Sequence, residues 1–249
     1  MGFPLSLGGY GDFVEAICAQ ASQRTSAYVC VANVHMFVEA SMDRGFSKVM
    51  EQASIVTPDG KPLTWALYAT RGIRQERAAG MDLLPALLDA AAQRGLRVYF
   101  YGSTPQVLAR TRDFIARHHP ATALAGMYSP PFRPLTAAEE AEVVQNINKS
   151  GAHLVFVVLG CPKQERWMAA MKGRVQATMI GIGGALPVLI GDQRRAPQWM
   201  QRAGLEWLYR LAQDPRRLFK RYFVTNTLFM YWMIREVVGS KFKVQDSKL

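Results

Sequence analysis

The chain has 249 residues, of which 49% are hydrophobic and 20% charged, enough to bury the core of one large domain or of a domain with an appendage. With 30 Lys and Arg against 19 Asp and Glu, the net charge of +11 predicts an anionic partner such as a nucleic acid, an acidic lipid or a phosphorylated substrate. The three cysteines, Cys18, Cys30 and Cys161, form no CxxC pattern, which argues against a structural zinc site and favours reduced thiols in the cytosol.

The N-terminal sequence has no basic segment followed by a long apolar run, so we expect no secretory signal. No window reaches the roughly 18 to 20 apolar residues of a membrane-spanning helix. The best candidate, residues 222–234, is too short and contains Thr225, Asn226 and Thr227. The sequence therefore predicts a protein that lies on a membrane or avoids it, rather than one that crosses it.

Short apolar runs alternate with helical patterns along most of the chain. The runs are residues 28–32, 54–57, 96–101, 154–159 and 178–182, and the helical stretches include residues 81–94, 105–118, 137–149 and 164–171. Nearly continuous apolar strands separated by helices are typical of a parallel sheet covered on both faces. The predicted fold is a Rossmann-like, open, mostly parallel α/β sheet with helices on both faces.

Glycine or polar turns follow the first four predicted strands. They carry, in order, Asn33 and His35, Asp59 and Lys61, Gly102 and Ser103, and the segment 160–165. In open α/β sheets, ligands bind beyond the carboxyl ends of the strands. We therefore expect the site to be built from these turns.

Two of these turns precede helices whose exposed amides favour phosphate. The turn of Gly102 and Ser103 either holds a phosphate or is a tight connection that binds nothing. In the segment from Gly160 to Glu165, Lys163 and Gln164 project from the first turn of a helix, which suits a diphosphate. The alternative is a solvated first turn in which Glu165 only complements the helix dipole.

Other candidates have a plain structural interpretation as well. Asp59, between proline and glycine, is also a favoured turn residue, and Asp82 is also a possible helix cap. His35 has the pKa for proton transfer but is also a common structural residue. Gly183 and Gly184 either admit a ligand or allow a helix to pack closely on the sheet.

The last quarter of the chain concentrates positive charge. Residues 197–249 hold ten Lys or Arg against four Asp or Glu, together with ten aromatic residues. Helical spacing predicts that Arg202, Glu206 and Arg210 share one helix face, either as a salt-bridge ladder or as an anion site that Glu206 orients. Residues 218–238 predict an amphipathic helix, which fits a core, an oligomer interface or an anionic membrane surface.

Several motifs together resemble one family. They are residues 57–60 (TPDG), 80–83 (GMDL), 159–165 (LGCPKQE) and 181–184 (GIGG), the long run 195–211, and 214–217 (DPRR). From about residue 10 to residue 238 the chain resembles the WecG/TagA/CpsF group, glycosyltransferase family 26. The resemblance implies an inverting enzyme that needs no metal or cofactor. Such enzymes move a sugar from a UDP-sugar to a polyprenyl-diphosphate-linked sugar, for teichoic acid linkage units, enterobacterial common antigen or exopolysaccharide repeats.

The resemblance also implies roles for particular residues. Asp59 matches the proposed general base, and the basic C-terminal appendage is expected to reach over the site and touch the membrane. Val31 stands where members often carry threonine, so a different donor sugar is possible. An inverting transfer needs a carboxylate for the acceptor hydroxyl and positive charge for the leaving diphosphate. The expected substrate-binding residues are Asn33, His35, Lys61, Asp82, Gly102, Ser103, Gly160, Lys163, Gln164, Glu165, Gly183, Gly184, Arg202, Glu206, Arg210, Arg216 and Arg217.

The resulting hypothesis is a catalytic domain at residues 1–195 and a membrane-associating helical appendage at residues 196–249. The enzyme would transfer a hexose or N-acetylhexosamine-type sugar at the cytoplasmic face of the bacterial inner membrane, as a peripheral protein. Its expected partners are the UDP-sugar, the lipid-linked acceptor and an anionic membrane surface, but no nucleic acid. Assembly with a second copy of the chain is left open.

Three alternatives remain open. A nucleotide-dependent dehydrogenase would need a glycine fingerprint after the first strand, where residues 32–35 read Ala-Asn-Val-His. A basic nucleic-acid-binding module draws on charge alone. A membrane scaffold without catalysis would tolerate the loss of Asp59.

Overall fold

A computed structural model describes residues 3–239, except for the side chains of Arg217 and residues 237–239. Six strands form one parallel sheet in the order β2-β1-β6-β5-β3-β4. The strands are β1 (Ala27–Ala32), β2 (Ile55–Pro58), β3 (Arg97–Gly102), β4 (Ala123–Tyr128), β5 (Leu154–Val158) and β6 (Thr178–Gly181). The predicted open, parallel α/β fold is confirmed.

Twelve α-helices occur in the described part of the chain. They are α1 (Tyr10–Ser22), α2 (Val34–Met42), α3 (Arg44–Glu51), α4 (Lys61–Arg71), α5 (Gly80–Gln93), α6 (Pro105–His118), α7 (Ala137–Lys149), α8 (Lys163–Met171), α9 (Leu186–Leu189), α10 (Gln198–Arg202), α11 (Glu206–Gln213) and α12 (Pro215–Gly239). The predicted helices at 105–118 and 137–149 match α6 and α7 at both ends.

The sheet is buried between two apolar layers, as its continuous hydrophobic strands predict. Along β1, Tyr28 and Cys30 face a layer supplied by α2, α3, α4, α7, α8 and α12. Val29 and Val31 face the other layer, supplied by α1, α5, α6 and α9. Successive side chains of a strand point to opposite faces of the sheet. Alternate residues of β1 therefore pack in opposite apolar layers.

The sequence did not reveal strand β4. This strand lies at the edge of the sheet, pairs only with β3 and is mostly half-buried. Its sequence, Ala-Leu-Ala-Gly-Met-Tyr, lacks the β-branched residues that mark a buried strand. Gly126 is needed there because a Cβ at this position would lie 2.6 Å from the Tyr99 ring.

The long C-terminal helix α12 begins at Pro215, three residues before the predicted start at 218. A proline suits the first turn of a helix. Its Phe229 is buried and packs edge-on against Phe37 of α2, with ring centroids 5.4 Å apart, and Trp232 lies 5.7 Å from the same ring. The opposite side of α12 exposes Phe219, Phe223, Val224, Met230, Tyr231 and Ile234. The lysines at 241, 243 and 248 fall outside the described residues.

No helix within residues 3–239 combines the length and the apolar character required to span a bilayer. Helix α12 has the length, with 25 residues, but its exposed side mixes aromatic residues with Arg216 and Lys220. The arrangement is that of an amphipathic helix with one side packed on the sheet layer.

Docking of α12 through Phe229 generates a stability prediction. Phe229 is 5% exposed and Phe223 is 64% exposed. Phe229→Ala should therefore lower the free energy of unfolding by about 3 kcal/mol or more, whereas Phe223→Ala should change it by less than about 0.5 kcal/mol. Urea unfolding of the two full-length variants measures both values. Equal effects would mean that α12 is not held by this contact.

Candidate active site

A cavity of about 700 Å³ lies at the carboxyl ends of β2, β1, β6 and β5. Its floor comes from the turns after these strands, and residues of α11 and α12 close it from the C-terminal side. A volume of this size lies within the usual range for pockets that bind small molecules and cofactors. The cavity thus lies at the strand ends where the sequence predicted a site, with the C-terminal helices as part of its wall.

Strand register places Asn33 beside Asp59 on the cavity floor. Ala32 pairs with Pro58 at the ends of β1 and β2, and the Asp59 amide donates to the Ala32 carbonyl oxygen at 2.7 Å. Asn33 also caps α2, since its Oδ1 accepts from the Met36 amide at 3.2 Å. One side chain therefore fixes a helix start next to the candidate base.

Asp59 is the cavity carboxylate best placed to act as a base. Burial raises its pKa to about 6, while Arg77 and Arg210 hold it lower and Glu206 and Asp82 add to the rise. Among residues 3–239, no hydrogen bond involves its carboxylate oxygens. A carboxyl group with this pKa and free oxygens suits proton abstraction near neutral pH.

A charged network surrounds Asp59. Arg77 pairs with Glu206 of α11 and, at 3.4 Å, with Asp82 of α5. Arg195 also pairs with Asp82. Both the Arg77 and Glu206 side chains are largely buried, so each charge depends on its partners. The network joins the loop before α5, helix α5 itself and the C-terminal helices around one carboxylate.

Arg210 extends this positive wall. Its Nη2 donates to the Gly184 carbonyl oxygen at 3.2 Å, and a Cβ on Gly184 would lie 3.5 Å from the same nitrogen. The guanidinium thus lies directly against the backbone that follows β6. Arg77 and Arg210 supply cations near Asp59 from two separate parts of the chain.

The wall between β5 and β6 is held by the side-chain amide of Gln164. Its Oε1 accepts from the Gly160 amide at 3.1 Å, and its Nε2 donates to Oε1 of Glu165 at 2.8 Å. A Cβ on Gly181 would lie 2.7 Å from this Nε2, so the glycines leave room for the amide. Gln164 thereby braces the turn that follows β5 and packs against the glycine that ends β6.

Glu165 is fully buried behind Gln164. Burial raises the pKa of its carboxyl to about 7, against the hydrogen bond from Gln164. Its second oxygen, Oε2, has no partner among the described residues. Glu165 was predicted to bind substrate, but it lies behind the cavity wall and touches Gln164 instead.

His35 lines the cavity at the start of α2. Burial lowers its pKa, and the nearby Arg221 lowers it further, whereas Glu39, 3.3 Å away, favours the charged form. The lowered pKa of His35 favours the neutral imidazole, which offers a hydrogen bond rather than a charge.

The structure brings many of the predicted site residues together. The cavity is lined by Asn33, His35, Asp59, Lys61, Gly160, Gln164, Gly183, Gly184, Glu206 and Arg210, and by Val31, the position that departs from the family pattern. The other predicted residues that the structure describes do not line the cavity; they are Asp82, Gly102, Ser103, Lys163, Glu165, Arg202 and Arg216. The side chain of Arg217 is outside the described residues.

The expectation that Arg202, Glu206 and Arg210 share one helix face is wrong. Helix α10 ends at Arg202 and α11 begins at Glu206, because Gly204 between them adopts φ +71°. The break leaves Arg202 exposed, while Glu206 and Arg210 reach the cavity. The turn of Gly102 and Ser103 also has positive φ at both residues, but it follows β3, outside the cavity.

Several cavity residues were not among the predicted site residues, and four polar examples are Arg77, Arg221, Tyr222 and Asn226. Arg77 sits in the irregular segment between α4 and α5, with no motif to single it out. The other three share one face of α12, whose contacts depend on how that helix docks. The spacing of 221, 222, 225 and 226 was a usable signal only once the inner face of α12 was known.

Comparison with known proteins decides the family. A profile described as the glycosyl transferase WecG/TagA/CpsF family matches residues 1–243. The chain belongs to this family. As a WecG/TagA/CpsF protein it is a glycosyltransferase, which favours sugar transfer over the dehydrogenase and nucleic-acid-binding alternatives.

Curated relatives carry a more specific name. A protein of Bacillus spizizenii strain W23 is 34% identical over 196 residues, covering 78% of this chain and 74% of its own length. A Bacillus subtilis strain 168 protein is 31% identical, covering 85% and 80%. One from Staphylococcus aureus strain MW2 is 25% identical, covering 92% and 86%. All three are named N-acetylglucosaminyldiphosphoundecaprenol N-acetyl-beta-D-mannosaminyltransferase.

The buried pair of Gln164 and Glu165 generates a prediction for this glycosyltransferase. Glu165→Leu removes the acceptor of the Gln164 amide, so kcat/KM for sugar transfer should fall at least about tenfold. Glu165→Gln keeps an acceptor oxygen and should stay within about threefold of wild type. Steady-state kinetics on folded protein, matched by melting temperature, measures the difference. Normal turnover in the leucine variant would remove Glu165 from any role in shaping the wall.

Proposed function

We propose that this protein is an inverting glycosyltransferase that uses a UDP-sugar donor and a polyprenyl-diphosphate-linked sugar acceptor. One observation carries the proposal. Asp59, with a pKa of about 6 and no hydrogen bond to its carboxylate among the described residues, lies on a cavity floor under the influence of Arg77 and Arg210. A base and paired cations are the two requirements of a direct displacement at a sugar carbon.

In the proposed reaction, Asp59 takes the proton of the acceptor hydroxyl while that oxygen attacks the anomeric carbon. The new C–O bond forms as the bond between the anomeric carbon and the UDP oxygen breaks. The electron pair leaves with UDP, whose added negative charge Arg77 and Arg210 stabilise. A single displacement from the face opposite the leaving group inverts the anomeric configuration.

The names of the relatives support a donor and an acceptor to test first. Those proteins transfer an N-acetyl-β-D-mannosaminyl group to N-acetylglucosaminyl-diphospho-undecaprenol by name. We propose the same class of transfer here, for a bacterial surface or extracellular polysaccharide. Val31 lines the cavity where the family often has threonine, so the panel of donors includes N-acetylmannosamine, its uronic acid and glucose.

Metal independence is part of the proposal. Among residues 3–239, His, Cys, Asp and Glu side chains form no group of three that could hold a metal ion. The guanidinium groups near Asp59 supply positive charge without one. Turnover in the presence of a chelator tests this directly.

We further propose that residues 1–195 act as the catalytic part and residues 196–249 as a membrane-associating appendage. Helices α11 and α12 contribute Glu206, Arg210, Arg221 and Tyr222 to the cavity, while α12 also exposes aromatic side chains. A peripheral enzyme on the cytoplasmic face of the bacterial inner membrane would meet a polyprenyl acceptor there.

The experiment that tests this function is a donor panel. Wild-type protein is mixed with each UDP-sugar and a short-chain polyprenyl-diphosphate N-acetylglucosamine, and the product mass is measured. One sugar should be added from one donor, and Asp59→Asn should lower turnover at least about a hundredfold while UDP still binds. Absence of transfer from every UDP-sugar would contradict the donor class. Near-normal turnover in Asp59→Asn would remove the proposed base.

The pKa of Asp59 predicts the pH profile. Because only the carboxylate accepts a proton, kcat/KM should fall on acidification below about pH 6, by about tenfold per pH unit. Glu165 titrates near pH 7, so the same profile is measured in Glu165→Gln. The fall in kcat/KM below about pH 6 should persist in Glu165→Gln. If this fall disappears in the variant, the titrating group is Glu165 rather than Asp59.

A further inference from the structure

Helix α4 exposes two large aromatic side chains beside the cavity. Trp65 is 52% and Tyr68 is 54% exposed, and their spacing of three residues places them on one side of the helix. The other side of α4, with Leu63, Ala66 and Leu67, is buried. The exposed pair belongs neither to the core nor to the C-terminal helices.

The position of Trp65 connects this surface to the cavity wall. A Cβ placed on Gly204 would lie 2.8 Å from Cη2 of Trp65 and 3.2 Å from Cβ of Lys61. The indole therefore packs against the turn between α10 and α11, and both Gly204 and Lys61 line the cavity. Trp65 thus lies directly behind two residues of the cavity wall.

The segment that carries the pair has charges of one sign. Residues 61–74 contain Lys61, Arg71 and Arg74 and no acidic residue. The Arg74 guanidinium lies 5.7 Å from the centre of the Tyr68 ring. Among the ion pairs of residues 3–239, none uses these three cations. Indole and phenol rings flanked by unpaired cations are typical of side chains at an anionic lipid headgroup layer.

We propose that Trp65 and Tyr68, with Lys61, Arg71 and Arg74, form a second membrane-contacting surface on α4, separate from the C-terminal appendage. Its partner is an anionic bilayer surface. The proposal rests on the proposed function, because a lipid-linked acceptor must bring its diphosphate to Asp59 while its hydrocarbon chain stays in the bilayer. The proposed surface begins at Lys61, directly after the Asp59–Gly60 turn. Its contact with the lipid headgroups would therefore hold the cavity close to the bilayer surface.

The test compares the double variant Trp65→Ser/Tyr68→Ser with Met42→Ser in the full-length protein. Met42 is 70% exposed at the end of α2, a nine-residue helix that runs about 13 Å away from the carboxyl edge of the sheet. Sedimentation with phosphatidylglycerol–phosphatidylcholine vesicles should show at least about tenfold weaker binding for the double variant and wild-type binding for Met42→Ser. Equal losses in both, or none in the double variant, would overturn the proposal.

Activity assays separate this surface from the catalytic site. The double variant should keep UDP affinity and its kcat/KM for a water-soluble short-chain acceptor, while KM for the undecaprenyl acceptor in vesicles rises. Arg71→Glu/Arg74→Glu should weaken binding to anionic vesicles and leave binding to purely zwitterionic vesicles unchanged. A dimer-to-monomer change in solution with unaltered vesicle binding would assign the face to a second copy of the chain and refute the membrane role.

The two proposals fail in different ways. If wild-type protein transfers no sugar from any UDP-sugar, the proposed function is wrong, yet the vesicle comparison still shows whether α4 contacts lipid. If transfer occurs and the double variant binds vesicles like wild type, the function stands and the α4 surface does not.

Discussion

The site depends on the way Arg77 is shared among carboxylates. Its guanidinium is largely buried and pairs with Glu206 and Asp82, and it also acts on Asp59. A buried cation left without partners would be costly, and so would the partly buried Glu206 carboxylate that faces it. Because the partners come from the cavity floor, from α5 and from α11, this one charge requires all three segments to be in place.

The same sharing sets the basicity of Asp59. An unopposed guanidinium would pull the pKa of a neighbouring carboxyl down and weaken it as a base, whereas burial alone would push the pKa far up. Here Glu206 and Asp82 partly neutralise the cations, and the pKa settles at about 6. In the proposed reaction the arriving diphosphate adds negative charge next to Arg77 and Arg210, which favours proton uptake by Asp59 at the step where the acceptor hydroxyl must be deprotonated.

The sequence predicted the sheet and the residues of the cavity floor because both depend on local patterns. Continuous apolar runs marked five strands, and the turns that follow them delivered Asn33, Asp59, Gly160 and Gly183 to the cavity. Edge strand β4 escaped because its small residues carry no such pattern.

The predictions that failed needed tertiary information. Gly204 ends one helix and starts another, so a regular spacing across residues 202–210 misplaced Arg202. The sequence suggested that Glu165 is an exposed residue of a first helical turn. In the structure, α8 packs closely on the sheet, and the Glu165 carboxyl is buried behind Gln164. Arg77 belongs to the site because it pairs with carboxylates from distant segments of the chain. Residue spacing along the sequence does not predict such pairs.

Helix α12 links the two halves of the proposed function through its own rigidity. Its inner side presents Arg221, Tyr222 and Asn226 to the cavity and anchors on Phe37 through Phe229, while its outer side exposes Phe219 and Phe223. These side chains share one continuous helix, so the exposed aromatic side and the cavity wall are opposite sides of the same element. In the proposed enzyme, the helix that would lie on the lipid surface is therefore also the helix that contributes to the wall receiving the diphosphate.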